Sequence, residues 1–198
     1  MVTLRALGAA EIQTAAARLT PSQEIVFGAG LFLLLQPGNR TSRDRLARLL
    51  WPAVGDDSRA HRLRQTLLQL KKHGLDVEAD RTTLRLPADK IQSDLAPLSG
   101  GTVSSFEELD SLEFLPGYSP RFSEPFRDWV DTKRDEVHAS ATRLLLRGLE
   151  EKRLQGDWAA VERIAAKCLV LEPLNEAAVL AKAEACAMRG GKLQAVSM

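Results

Sequence analysis

Three helical patterns in a row, followed at once by a hairpin pattern, fill the stretch from Thr20 to Pro87. This order constrains the fold most. Short helices with hard stops between them can bury their apolar faces only on one another. The first helix reads from TPSQEIVFGAGLFLLLQPGN, with Thr20 as the expected N-cap and Pro21 at the first helical position. Ile25, Phe27, Leu31, Leu34 and Leu35 make a broad apolar face, and Gly28 and Gly30 offer close packing. The turn residues at 36–39 end it. The second helix, SRDRLARLLW, is capped by Thr41 or Ser42 and stopped by Pro52. Leu46, Leu49, Leu50 and Trp51 face inward; Arg43, Arg45 and Arg48 do not. The third, DSRAHRLRQTLLQLKKHG, starts at a cap on Asp56 or Asp57 and ends at His73 and Gly74. LDVEADRTTLRL then reads as a hairpin, with Leu75, Val77, Leu84 and Leu86 apolar and a turn at 79–82. Ahead of the helices, VTLRALG and EIQTAAARL read as short strands.

Strands, three helices and a hairpin are the order of a winged helix-turn-helix, in which two helices set the third and the hairpin is the wing. The expected fold class is therefore an α+β winged helix-turn-helix domain over 1–98, followed by an all-α domain over 99–198. LSGGTVSS is the linker candidate between them, and FEELDSLEFL reads as a short helix. From Glu124 onward the pattern is wholly helical. One helix is expected over 125–154, a second over 158–171 and a third over 175–188. Gly156, Asp157, Trp158 and Ala160 recur as Gly190, Gly191 and Ala195 at a spacing of 34 to 35 residues, the tetratricopeptide period. Ala166, Leu171 and Pro173 match the rest of that pattern loosely. Such helix pairs bury a continuous core by stacking. The chain stops as the next helix would begin, so the expectation is a longer protein or a partner over the open end.

Composition narrows the function classes. The longest apolar run, 27–35, is too short to span a bilayer, and the N-terminus lacks a secretory pattern, so the cytoplasm is the expected compartment. Cys168 and Cys186 cannot make a disulfide framework, and three scattered histidines have no metal spacing. No Gly-rich phosphate loop or nucleophile motif is present, so neither an enzyme nor a cofactor is expected. Trp51, Trp129 and Trp158 read as core, and Tyr118 as a loop anchor. The net charge is +1, but residues 40–72 hold nine basic and three acidic side chains. A local excess of this kind attracts a polyanion.

The third helix, 57–73, carries the sharpest functional signal. At about 100° per residue, Ala60, Leu63, Leu67 and Leu70 fall in one stripe, and Leu68 lies between faces. The opposite face carries Ser58, His61, Arg62, Gln65, Gln69 and Lys72 and no acid. A solvated helix face in a chain rich in Asp and Glu ordinarily pairs its bases with acids one turn away. Arg reads guanine and Gln reads adenine in the major groove, so this face has the chemistry to contact bases. Arg64 and Lys71 on the flank, with Arg40, Arg43 and Arg45 at the start of the second helix, suit phosphates. Arg81, Thr82 and Thr83 at the hairpin tip suit the backbone or minor groove. A protein-interaction adaptor, using the helical repeat and its acidic half, is the competing reading.

SRDRLARLLWP followed by RAHRLRQTLLQLKKHG resembles the winged-helix domain of the Streptomyces antibiotic regulatory protein family. FLPGYSPRFSEPFRDWVDTKRDEV and the repeat after it look like the bacterial transcriptional activator domain that follows in that family. The resemblance covers nearly the whole chain. It implies a transcription regulator, usually an activator, that sits on direct repeats of double-stranded DNA near promoters with protomers side by side. It also implies a helical domain that assists contacts between protomers or with RNA polymerase; the short apolar run gives no expectation of a membrane partner. Larger members carry further domains behind this pair.

Overall fold

The computed structural model describes residues 1–87, 91–99 and 111–190. The chain is α+β, with a small N-terminal region of strands and helices and a C-terminal helical bundle. Two compact units divide it: Met1–Asp94 with Phe114–Arg134, and Leu95–Glu113 with Asp135–Met198. Part of the linker candidate at 98–105, the first half of FEELDSLEFL, and Gly191 and Ala195 of the repeat lie outside the described residues.

The first unit opens with β1 (Val2–Arg5), β2 (Glu11–Thr14) and β3 (Arg18–Leu19), an antiparallel run. Period-two alternation sets its faces: Val2 and Leu4 are buried, as are Ile12 and Leu19. A strand absent from the sequence reading, β7 (Ile91–Ser93), completes the order β3-β2-β1-β7 by pairing parallel to β1. Asp94 fixes that join, because its carboxylate accepts the amides of Ala6 (2.8 Å) and Leu7 (2.8 Å). Burial raises this carboxyl above its ordinary value, and the Leu7 and Ala6 amides pull it back down.

Helix α1 (Glu24–Leu35) is buried all round from Phe27 to Leu34, not along one face, and so forms the centre of the unit. Its start differs from the expected cap. Thr20 precedes a 3-10 turn at Pro21–Gln23 without a side-chain capping bond, and its hydroxyl pairs with that of Ser22 instead. The two glycines are where neighbours come closest. A Cβ on Gly28 would stand 3.1 Å from both Phe122 and Phe126, and one on Gly30 would stand 3.1 Å from Ile12. Tyr118, also in this unit, is buried edge-on against Phe27 at 5.1 Å. Phe114 bridges to Leu7, so the tail of FEELDSLEFL is extended where a helix was expected.

After a turn through Gly38 and Asn39, both left-handed, comes the short strand β4 (Arg40–Ser42) and then α2 (Arg43–Leu50). Ser42 is the cap: its hydroxyl accepts the Arg45 amide at 3.0 Å. Leu46, Ala47, Leu50 and Trp51 are buried, while Leu49 is half-buried. Helix α3 (Asp56–Lys72) follows, with Gly55 at the cap position and no side-chain cap, although Asp56 or Asp57 was expected there. β5 (Glu78–Ala79) and β6 (Thr83–Arg85) form the hairpin, and β4 pairs with β6 to give the order β4-β6-β5.

Gly74 ends α3 at φ +81, a conformation side chains resist. An added Cβ would lie 2.8 Å from the Thr14 hydroxyl, which donates to the His73 carbonyl at 2.6 Å. Gly74→Ala is therefore expected to cost about 1–2 kcal/mol for the left-handed conformation, and more for displacing Thr14. The check is a lower urea midpoint at unchanged slope.

The second unit holds the greater part of α4 (Glu124–Gln155), then α5 (Trp158–Leu171) and α6 (Glu176–Met188). Asp157 and Asn175 cap the last two by accepting the amides of Ala160 (3.1 Å) and Ala178 (3.0 Å). Small buried residues, Ala160, Ala165, Ala178, Ala181 and Ala185, allow these helices to lie close. Ala166, matched to the repeat pattern, is exposed. Glu172 joins α4 to the α5–α6 turn: it accepts Asn175 Nδ2 (2.8 Å) and the Thr142 hydroxyl (3.0 Å), and those bonds hold its carboxyl below the usual range. Cys168 is buried and Cys186 half-buried, and neither is in a disulfide. Burial raises the Cys168 thiol.

Candidate nucleic-acid interface

Helix α3 turns one face into the unit through Leu63, Thr66 and Leu70, with Arg59 and Leu67 half-buried beside them. This differs from the expected stripe at two places. Ala60 is exposed. Thr66 is buried in the line instead. Arg59 covers the start of the helix: its guanidinium donates to the carbonyls of Trp51 (3.3 Å) and Val54 and pairs with Asp56 at 2.9 Å. Nothing in its spacing marked Arg59 as different from the other arginines; only the tertiary bonds do.

The opposite face is open. Ser58, His61, Arg62, Gln65, Gln69 and Lys72 are all exposed, as is Arg64. None of their side chains has a hydrogen bond or ion pair within the described residues. Lys71 is exposed too, 3.7 Å from the equally exposed Asp76, a contact of little strength in water. From Ser58 to Lys72 the helix has no acidic residue; its acids, Asp56 and Asp57, sit in the first turn, where they complement the helix dipole.

The hairpin tip is held by Asp80. Its Oδ1 accepts the amides of Thr82 (2.7 Å) and Thr83 (2.6 Å), and its Oδ2 accepts the Thr83 hydroxyl. The Thr83 hydroxyl and amide, then the Thr82 amide, hold this carboxyl far below the ordinary range, so it stays ionised in any mild buffer. The hydroxyls of Thr82 and Thr83 thus shape the turn itself. Arg81, at the same tip, is exposed and unpaired within the described residues.

The arginines at the start of α2 have different surroundings. Arg43 ties helix to hairpin: its amide donates to the Thr82 carbonyl (2.8 Å) and its Nη1 to the Asp80 carbonyl (3.3 Å). Arg45 lies over the Phe32 ring, 5.7 Å from its centroid. Arg40 is exposed on β4 directly across from Arg85 on β6, a residue the sequence reading passed over. The alternation of Leu84 and Leu86 inward with Thr83 and Arg85 outward is the signal that marks Arg85 as a surface base. Like charges directly opposite across a strand pair repel, so a nearby anion would relieve the Arg40–Arg85 pair.

Among the described residues no group of His, Cys, Asp and Glu could hold a metal, and no helix is long and apolar enough to cross a membrane. No family model matches the chain, and no curated protein matches it.

Proposed function

We propose that this chain is a sequence-specific binder of double-stranded DNA that acts as a transcription regulator, an activator by its resemblance to the Streptomyces antibiotic regulatory proteins. In this reading α3 enters the major groove as the recognition helix of a winged helix-turn-helix, and the β5–β6 hairpin is the wing. One observation carries it: the outward face of α3 is exposed, cationic, acid-free and its side chains are unpaired within the described residues. Arg62, Gln65, Gln69 and Lys72 supply base contacts; Arg40, Arg64, Lys71 and Arg81 supply phosphate contacts. The order of elements supports the same reading, since β4, which leads into α2, pairs with β6 and joins the hairpin in a three-stranded sheet. The side-by-side protomers on promoter repeats and the polymerase contacts of the helical unit rest on the resemblance alone.

A second reading, an adaptor that binds proteins through the helical unit, draws on the exposure of Val170, Leu174 and Leu180 there. Fluorescence titration of promoter fragments, including the chain's own upstream region, at two salt concentrations separates the two. Each neutralised phosphate steepens the dependence of log K on log salt by about 0.9. Tight binding to one fragment with a steep slope is the expected result. Weak binding to all fragments, equal at both salts, would overturn the DNA reading in favour of the adaptor.

A further inference from the structure

Leu68 is 54% exposed on α3. Apart from Met1, it is the large apolar residue that the first unit leaves in solvent among the described residues. Its neighbours one turn away on the helix are Arg64, Gln65, Lys71 and Lys72, all exposed and none acidic. A protein partner recognises contiguous apolar area, and α3 offers none around Leu68. The next exposed apolar side chain on the helix is Ala60, roughly 12 Å along the axis. The surface is a single apolar point set in amides and cations. The DNA major groove presents the complement: the C5-methyl of a thymine among hydrogen-bonding base edges, flanked by phosphates.

Resting on the DNA-binding reading above, we infer that Leu68 is a specificity-determining residue that packs on the C5-methyl group of a thymine. Gln65 precedes it by one turn, about 4.5 Å along the helix axis, close to the roughly 3.4 Å step between base pairs. Gln pairs with adenine through its N6 and N7 atoms. The thymine read by Leu68 therefore neighbours the base read by Gln65. Leu68 thus adds an apolar contact to a face otherwise composed of polar readers.

The test removes the methyl and nothing else. In the fragment bound most tightly, each thymine is replaced singly by uracil, and affinities are measured by fluorescence anisotropy for the unaltered chain and for Leu68→Ala. At one position per binding site, the unaltered chain should lose about fourfold, the worth of one methyl group taken out of its apolar contact. Leu68→Ala should bind the thymine and uracil forms of that position equally. Its urea midpoint should match that of the unaltered chain, because the side chain is exposed. If a preferred fragment exists but tolerates uracil everywhere, or if Leu68→Ala loses as much on uracil as the unaltered chain does, the inference fails while DNA binding stands. If no fragment is preferred and none shows salt dependence, the DNA-binding reading fails and this inference with it.

Discussion

Phe126→Ala is expected to lower the stability of the first unit by about 3–5 kcal/mol, the range for emptying a buried phenylalanine site. Phe126 is fully buried, with ring centroids of Phe122 and Trp129 at 5.1 and 5.2 Å. Trp129 in turn meets Phe32 of α1 at 4.9 Å. The upper part of the range applies, because this site has little freedom to collapse into the void. Ser123, at the head of the helix, donates its hydroxyl to the Leu49 carbonyl at 2.6 Å and accepts the Phe126 amide at 3.3 Å. Those bonds hold the backbone in place around the missing ring. A domain has only about 5–15 kcal/mol of net stability, so the change would remove a large fraction of it. Urea unfolding followed by tryptophan fluorescence reads the loss as a lower midpoint, since Trp129 reports on the same cluster. A loss under about 1 kcal/mol would mean that the aromatic cluster is not packed tightly against Gly28.

The helices were legible because each has a strong local signal. Leu46 and Leu50 repeat at helical spacing, Ser42 caps, and Gly74 stops. The hairpin was legible from Leu84 and Leu86 beside a polar turn. The strands β4 and β7 were not, since each is three residues long and carries little apolar alternation. β7 pairs parallel with a strand at the other end of the unit, and a local pattern cannot announce a distant partner. Trp129 read correctly as a packing group, and Tyr118, read as a loop anchor, is buried. Their place in the first unit, against α1, depends on tertiary contacts that composition does not encode. The outward face of α3 was legible residue by residue, because an apolar stripe fixes its own opposite. What escaped were the side chains whose role is set by tertiary or turn hydrogen bonds: Arg59 on the carbonyls of Trp51 and Val54, Arg43 on the carbonyl of Asp80, and the threonines that wrap around the Asp80 carboxylate.

The largest functional effect is expected from Arg62→Ala combined with Gln65→Ala. Each change removes a candidate base contact worth about 1–3 kcal/mol of discrimination. The two sit one turn apart, so their effects need not add, but the pair should still lose at least about 2 kcal/mol, roughly thirtyfold, in preference for the best fragment. Both side chains are exposed and unpaired within the described residues, so folding should be untouched and the far-ultraviolet circular dichroism unchanged. Arg64→Ala is the matched control. A lost phosphate contact lowers affinity for every fragment alike and reduces the salt slope by about 1, leaving the preference intact. Arg43 is a poorer control than its charge suggests, because its guanidinium also donates to the hairpin at Asp80, and its removal would loosen that hairpin. Competition titrations between the best fragment and a scrambled one measure both quantities in one experiment. If the double variant keeps its preference, α3 does not read bases. If Arg64→Ala changes preference and the double variant changes only the slope, the two edges of the helix have been assigned the wrong way round.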